Sequence, residues 1–193
     1  MEKGFEISDL QEALRVLRKG GIILYPTDTV WGIGCDATNS EAVRRIFALK
    51  RREDSKSMLV LLDSEGKLDR YVDVPDAAAS LTQACAEGRP MTIIYPNACG
   101  VAPELIAEDG SIGIRITSEP FSQALCAGLG KPLVSTSANI SGEPAAPTFA
   151  KISREIRDGV DYICRYRRND NTPKQPSAII KINSDNTFNI IRK

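Results

Sequence analysis

The sequence predicts an α/β protein built on one mixed, twisted, open sheet with flanking helices. Three observations carry this. Helical and strand-like periodicities alternate along the 193 residues, the last two apolar segments form a strand pair, and 42% hydrophobic content supplies one core of ordinary size. There is no internal repeat, low-complexity tract or linker, so residues 1–193 read as a single domain.

Taken in order, Ser8 to Lys19 predicts a helix. Ser8 and Gln11 can form a capping box, Leu10, Leu14 and Leu17 share a face, and Gly20-Gly21 stops it. Ile22 to Tyr25 predicts a short strand halted by Pro26. Glu41 to Lys50 predicts a helix with Ser40 as its cap and Val43, Ile46 and Phe47 on its buried side. Met58 to Leu62 is continuously apolar, as a strand buried on both faces should be. Asp76 to Ala86 reads as a helix behind Pro75. Met91 to Tyr95 and Ser111 to Ile116 read as strands, and Phe121 to Leu129 as a helix opened by Ser118 and Pro120. Leu133 to Ser135 begins a strand, and Phe149 to Arg157 predicts a helix capped by Thr148. Tyr162 to Arg165, Ala178 to Ile182 and Phe188 to Ile191 are late strands, the last two joined by Asn183-Ser184-Asp185-Asn186. The polar, proline-containing stretch Arg167 to Pro176 reads as a mobile surface loop.

Composition narrows the chemistry. Twenty-five basic residues balance twenty-five acidic ones, which argues against bulk-charge binding of a long polyanion but leaves room for a local basic pocket. The chain contains no histidine. That excludes Ser-His-Asp and Cys-His catalysis, His-ligated zinc and the usual general base near neutral pH. Positioning, electrostatics and a hard metal ion held by oxygen remain, and phosphoryl or nucleotidyl transfer suits them. Cys35, Cys85, Cys99, Cys126 and Cys164 are odd in number, widely spaced and without CxxC, so buried free thiols are expected. No apolar run reaches a membrane span, and Met1 to Glu6 lacks an apolar signal core, so the expected compartment is the cytoplasm, with no membrane contact.

Four segments carry groups that could do chemistry. Tyr25-Pro26-Thr27-Asp28-Thr29-Val30-Trp31-Gly32-Ile33-Gly34 follows a strand and reads as either a small-ligand loop or an ordinary polar turn. Lys50-Arg51-Arg52-Glu53-Asp54-Ser55-Lys56-Ser57 follows a helix C-terminus, where cations are favoured in any case; it is either a solvated cluster or a triphosphate clamp. Arg115 lies in an alternating apolar strand. Either it faces outward, or it points inward and requires an anion, for which a ligand carboxylate would serve. Ser135-Thr136-Ser137-Ala138-Asn139-Ile140-Ser141-Gly142 places hydroxyls and an amide where a strand opens into a loop, suited to phosphate oxygens or to a hydrogen-bonded turn. No Walker or dinucleotide fingerprint is present.

Pro26-Thr27-Asp28-Thr29-Val30-Trp31-Gly32, the cations from Lys50 to Lys56 with Ser57, Arg115, and Ser135 to Asn139 with Ser141-Gly142 together resemble the YrdC family of threonylcarbamoyl-AMP synthases. The resemblance runs from about Asp9 to Arg192. It implies a twisted open sheet with a concave, positively lined cavity, and synthesis of threonylcarbamoyl-AMP and pyrophosphate from L-threonine, bicarbonate and ATP with Mg²⁺. It implies that Lys50, Arg52, Lys56, Ser57, Ser111, Ser137, Asn139 and Arg192 bind ATP, and that Thr27, Arg115, Ser135 and Ser177 bind threonine. No covalent nucleophile is implied. The product would pass to a tRNA threonylcarbamoyl transferase complex, with weak RNA contact a further expectation. Trp31 stands where the family usually has tyrosine or phenylalanine, Ile116-Thr117-Ser118 where proline and histidine often follow the arginine, Ala146 where a serine is frequent, and Ala178 where a threonine is common. Three rival readings are an RNA-binding or ribosome-maturation factor of the same fold without this activity, the carbamoyl-adenylate chemistry of related multidomain hydrogenase-maturation proteins, and a less understood paralogue of the family that shares the fold without making this product.

Overall fold

The computed structural model describes residues 4–52, 58–75, 78, 90–183, 185 and 187–192. They form four helices, α1 (Ile7–Arg18), α2 (Ser40–Lys50), α3 (Pro120–Leu129) and α4 (Arg154–Asp158), and nine strands. The strands are β1 (Ile23–Tyr25), β2 (Gly32–Gly34), β3 (Leu59–Leu62), β4 (Met91–Tyr95), β5 (Ile112–Ile116), β6 (Leu133–Ser137), β7 (Tyr162–Ile163), β8 (Ala178–Ile182) and β9 (Phe188–Arg192). They make one sheet in the order β7-β1-β2-β6-β3-β5-β4-β8-β9. Pairings β7–β1, β3–β5 and β4–β8 are parallel and the others antiparallel, so the mixed α/β sheet expected from the sequence is the one observed.

Burial follows the pleat. Val60, Leu62 and Ile114 face one core with Ile46 and Phe47 of α2. Leu61 and Leu133 face the other, with Leu14 and Leu17 of α1 and Phe121 and Leu125 of α3. Side chains alternate along a strand, so β3 must be apolar at successive positions to serve both layers. That is the physical origin of its unbroken hydrophobic run.

Several local expectations are corrected. Ser8 does not cap α1; Glu6 holds the N-cap position without a side-chain bond. The buried Asp9 instead accepts from the Arg165 and Tyr166 N–H groups and from the Tyr162 hydroxyl, tying α1 to β7. Asn39, not Ser40, caps α2 by accepting from Ala42 N. Glu119 caps α3 by accepting from Ser122 N at 2.7 Å, with Pro120 in the first turn and Gly130 closing the far end at φ +71°. The Phe149–Arg157 helix is two short pieces, a 3₁₀ turn at Phe149–Lys151 with Thr148 at its N-cap but making no side-chain bond, and α4 capped by Ser153. β2 was not foreseen, because Gly-Ile-Gly has almost no intrinsic strand preference. Cys35, Cys126 and Cys164 are buried free thiols as expected, but Cys99 is exposed. Cys85 and most of the expected Asp76–Ala86 helix lie outside the described residues.

The glycines of β2 are explained by what crowds them. A Cβ at Gly34 would sit 2.6 Å from Val134 O and 2.7 Å from the Tyr25 ring. Gly34→Ala should therefore force the β1–β2–β6 seam apart, costing about 1–3 kcal/mol and lowering the melting temperature by roughly 2–12 °C. An unchanged thermal melt would show that the seam opens without strain.

Candidate active site

The concave side of the sheet holds a cavity of about 900 Å³, a size suited to a nucleotide-sized ligand. Its wall is assembled from β2, β6, β5, β4 and β9 and the loops beside them: Thr29 to Gly32, Ser135 to Ser137, Gly113 and Arg115, Thr92, Ser177, and Arg192. Glycines keep the floor low. A Cβ on Gly32 would meet Thr27 Cγ2 at 3.2 Å and Ser135 Oγ at 3.4 Å, and one on Gly113 would meet Thr92 Cγ2 at 3.3 Å.

Arg115 is 3% exposed, so the outward-facing alternative is excluded. Its Nη2 lies 3.2 Å from Asp28 Oδ1, and Nη1 donates to Thr29 Oγ1 at 3.4 Å. The anion that a buried guanidinium requires is thus a carboxylate of the chain itself, where a ligand carboxylate had been considered. The pair is imperfectly aligned. Among the described residues, Asp28 Oδ1 and Arg115 Nε lack a hydrogen-bond partner. Burial pushes the Asp28 carboxyl up, against the opposing pull of Arg115.

The loop carrying Asp28 is shaped by Thr27. Its hydroxyl donates to Val30 O at 2.7 Å and accepts from Thr29 N at 3.0 Å. Arg167, at φ +59° and paired with Asp170, donates to Thr27 O at 3.1 Å. Thr27, from which a threonine contact was expected, is thus committed to its own turn and lies behind the lining of the large cavity. Thr29 faces the cavity in its place.

The phosphate residues also divide. Arg52, Ser111, Ser137, Asn139 and Arg192 line the cavity, whereas Lys50 does not. Lys50 is 1% exposed, and its ammonium donates to Ser137 O at 2.5 Å and Asn139 O at 2.6 Å. A direct phosphate clamp by Lys50 is not what this geometry provides. Burial, aided by the charge of Arg52, pulls its pKa down to about 8. Lys56 and Ser57 lie outside the described residues. Asn139 Nδ2 donates to Ile140 O and Glu143 O at 2.9 and 2.8 Å, which fixes its side-chain orientation.

The threonine set lies closer to expectation. Arg115, Ser135 and Ser177 all line the cavity. Ser177 Oγ is 2.9 Å from Thr92 Oγ1, and Arg192 Nε donates to Ser177 O at 2.9 Å. Burial and then the charge of Arg115 pull the Arg192 guanidinium below its ordinary range. At the rim, Asp109 Oδ1 accepts from Ser111 Oγ at 2.6 Å and from Ser111 N at 3.1 Å, and Lys181 pairs with Asp109 Oδ2.

Asp28, Thr29, Thr92 and the Asp109–Lys181 pair were not assigned from sequence. Asp28 and Thr29 stood inside a motif already singled out. Thr92 and Lys181 were hidden within strands whose register only the fold reveals.

The Sua5/YciO/YrdC family model, described as "Telomere recombination", matches residues 15–193. A protein of Pseudoalteromonas translucida named threonylcarbamoyl-AMP synthase is 35% identical over 176 residues, covering 89% of this chain and 92% of that one. One of the same name from Vibrio cholerae is 40% identical over 153 residues, covering 78% and 81%. The solved P. abyssi Sua5 H234A/Y235A superposes with a TM-score of 0.85 at 23% identity, covering 97% of this chain and 57% of that one. P. abyssi Sua5 complexed with L-threonine gives 0.78 at 23% identity, covering 89% and 50%. The chain thus spans little more than half of those longer solved proteins.

Two outcomes test the site's electrostatics. Asp28→Ala leaves a buried guanidinium without its partner and should cost about 3–5 kcal/mol in urea unfolding; a loss below about 1 kcal/mol would mean that solvent reaches Arg115. The Asp109 carboxyl is held down at about 2, first by Lys181 and then by Ser111. A depressed carboxylate stabilises the fold above its unfolded pKa of about 4 and loses that contribution as pH falls further. The urea midpoint of Asp109→Asn should therefore lie below the parent's at pH 6, with the gap closing between about pH 4 and pH 2. A gap that persists at the acid end would discount the pair.

Proposed function

Because the chain belongs to the Sua5/YciO/YrdC family, we propose that it is a threonylcarbamoyl-AMP synthase, a nucleotidyltransferase-type enzyme that makes threonylcarbamoyl-AMP and pyrophosphate from L-threonine, bicarbonate and ATP. The carrying observation is the cavity that joins a buried, internally paired Arg115 to a hydroxyl- and amide-rich loop at Ser135–Asn139, on a chain whose curated relatives bear that name over most of their length. The threonine carboxylate goes to the Arg115–Arg192 side, with Ser135, Ser177 and Thr92 offering partners for the amino acid's polar groups. Arg52, Ser137, Asn139 and Ser111 take the nucleotide, with Arg52 supplying charge to the phosphates.

The chemistry requires no protein nucleophile. The threonine amine and bicarbonate give a carbamate and water. A carbamate oxygen attacks the α-phosphorus, the bond from that phosphorus to the bridging oxygen breaks, and pyrophosphate leaves. The protein's part is to hold the carbamate in line and to offer donors where negative charge grows. Among the described residues no cluster of three carboxylate, thiol or imidazole groups could cage a metal. Oxygen donors such as Glu143 and the Ser137 hydroxyl on the cavity wall suit a Mg²⁺ ion that arrives on the triphosphate. When bound, that ion would neutralise phosphate charge.

The RNA-factor reading receives less support. Arg44, Arg45, Arg51 and Arg154 are paired with Glu104, Asp161, Glu155 and Asp158, so these surface cations are already matched within the chain. No described helix is long and apolar enough to cross a membrane. Work in the cytoplasm, product transfer to a tRNA threonylcarbamoyl transferase complex and weak RNA contact belong to the same proposal.

The test is pyrophosphate release from ATP with threonine and bicarbonate omitted in turn. Release should require both. Arg115→Lys keeps charge but loses the planar fork. It should raise the threonine KM about tenfold or more, as loss of a charge-assisted bond of about 1.5–3 kcal/mol implies, with the ATP KM little changed. Release that ignores threonine would overturn the proposal.

A further inference from the structure

The sequence Lys50-Arg51-Arg52 invites a reading in which both outer cations reach the same phosphates. The backbone prevents it. α2 ends at Lys50, and Arg51 takes φ +49°, ψ 41°, reversing the chain within one residue. Arg51 is thrown outward to pair with Glu155 at 2.7 Å. Arg52 emerges on the cavity wall. Lys50 stays beneath it, at 1% exposure.

There Lys50 staples a second segment twice. Its ammonium spans Ser137 O and Asn139 O, and its own carbonyl accepts from Ser141 N at 2.9 Å. The Ser137–Ser141 loop leaves β6 with the Ser137 and Asn139 carbonyls turned to the Lys50 ammonium, and such groups cannot be left unpaired at low cost. Pairing them with an ammonium fixes the loop's backbone at the stretch where Ser137 and Asn139 border the cavity.

We propose that Lys50 is a positioning residue: it holds the Ser137–Asn139 loop against the end of α2, so that the loop and Arg52 form one phosphate-binding wall, and it does not itself touch phosphate. This rests on the reading that the cavity binds ATP. Lys50 serves the loop from behind; Arg52 serves the ligand from in front.

Two measurements test it. In the first, binding of a non-hydrolysable ATP analogue with Mg²⁺ is measured calorimetrically for the parent, Lys50→Met, Ser137→Ala and the double variant, with folding checked by circular dichroism. Lys50→Met should weaken binding about tenfold while remaining folded, and the double variant should bind within about twofold of the weaker single one, because both changes disable the same loop. In the second, the parent protein is treated with an amine-acylating reagent and the lysines are read by mass spectrometry, with and without the ATP analogue. Lys50 should resist acylation in both cases. A lysine facing an empty phosphate site would react readily and be shielded by nucleotide, and its lowered pKa would make that contrast sharp. Additive losses in the cycle, normal binding by a folded Lys50→Met, or nucleotide-dependent shielding would each overturn the assignment and leave the ATP reading intact. Failure of the parent protein to bind the analogue would overturn both.

Discussion

The arrangement turns on one constraint: a guanidinium sits inside the sheet and must be neutralised there. Arg115 lies on β5, while Asp28 lies in the turn between β1 and β2, with β6 and β3 intervening in the sheet. Their attraction ties the two halves of the sheet across the cavity floor. The hydroxyl ladder from Thr27 to Thr29 holds the turn in the shape that delivers the carboxylate. An internal ion pair of this kind is weak evidence for stability but is costly to break from one side. What it provides is a cation of fixed orientation on the cavity wall.

Much of the fold was legible because it rests on periodicity. A continuous apolar run marked β3, and amphipathic spacing marked α1 and α2 within a residue or two. What escaped was set by tertiary contact. β2 is held by its pairing with β1 and β6, where Tyr25 and Val134 leave no room for a Cβ on Gly34, and not by any preference of Gly-Ile-Gly for extension. Asp9 abandons the helix start for the Arg165 and Tyr166 amides, and no local rule anticipates a partner more than 150 residues away. In the site, residue types were readable and orientations were not. Thr27 and Thr29 are two residues apart in one motif, yet only Thr29 faces the cavity. Lys50 and Arg52 have similar chemistry and opposite directions, because a single left-handed residue lies between them.

The cavity's charge is less one-sided than a count of its cations suggests. Lys181 is matched by Asp109 and Arg115 by Asp28, while Glu108 and Glu143 stand on the rim. A wall of this kind selects by geometry as well as by sign. It rewards an anion that meets Arg115 and Arg192 together, and gives little to a polyanion passing by.

Arg192 reaches that basin from β9, the outermost strand on its side of the sheet among the described residues. Every residue of β9 is exposed, including Phe188, Ile190 and Ile191, and its pairing to β8 is interrupted by a register shift at Ile179 and Ile180. Such a margin detaches at a lower free energy than the core. Loss of that strand would take from the basin one of its two cations and, with it, the Arg192 bond to Ser177 O.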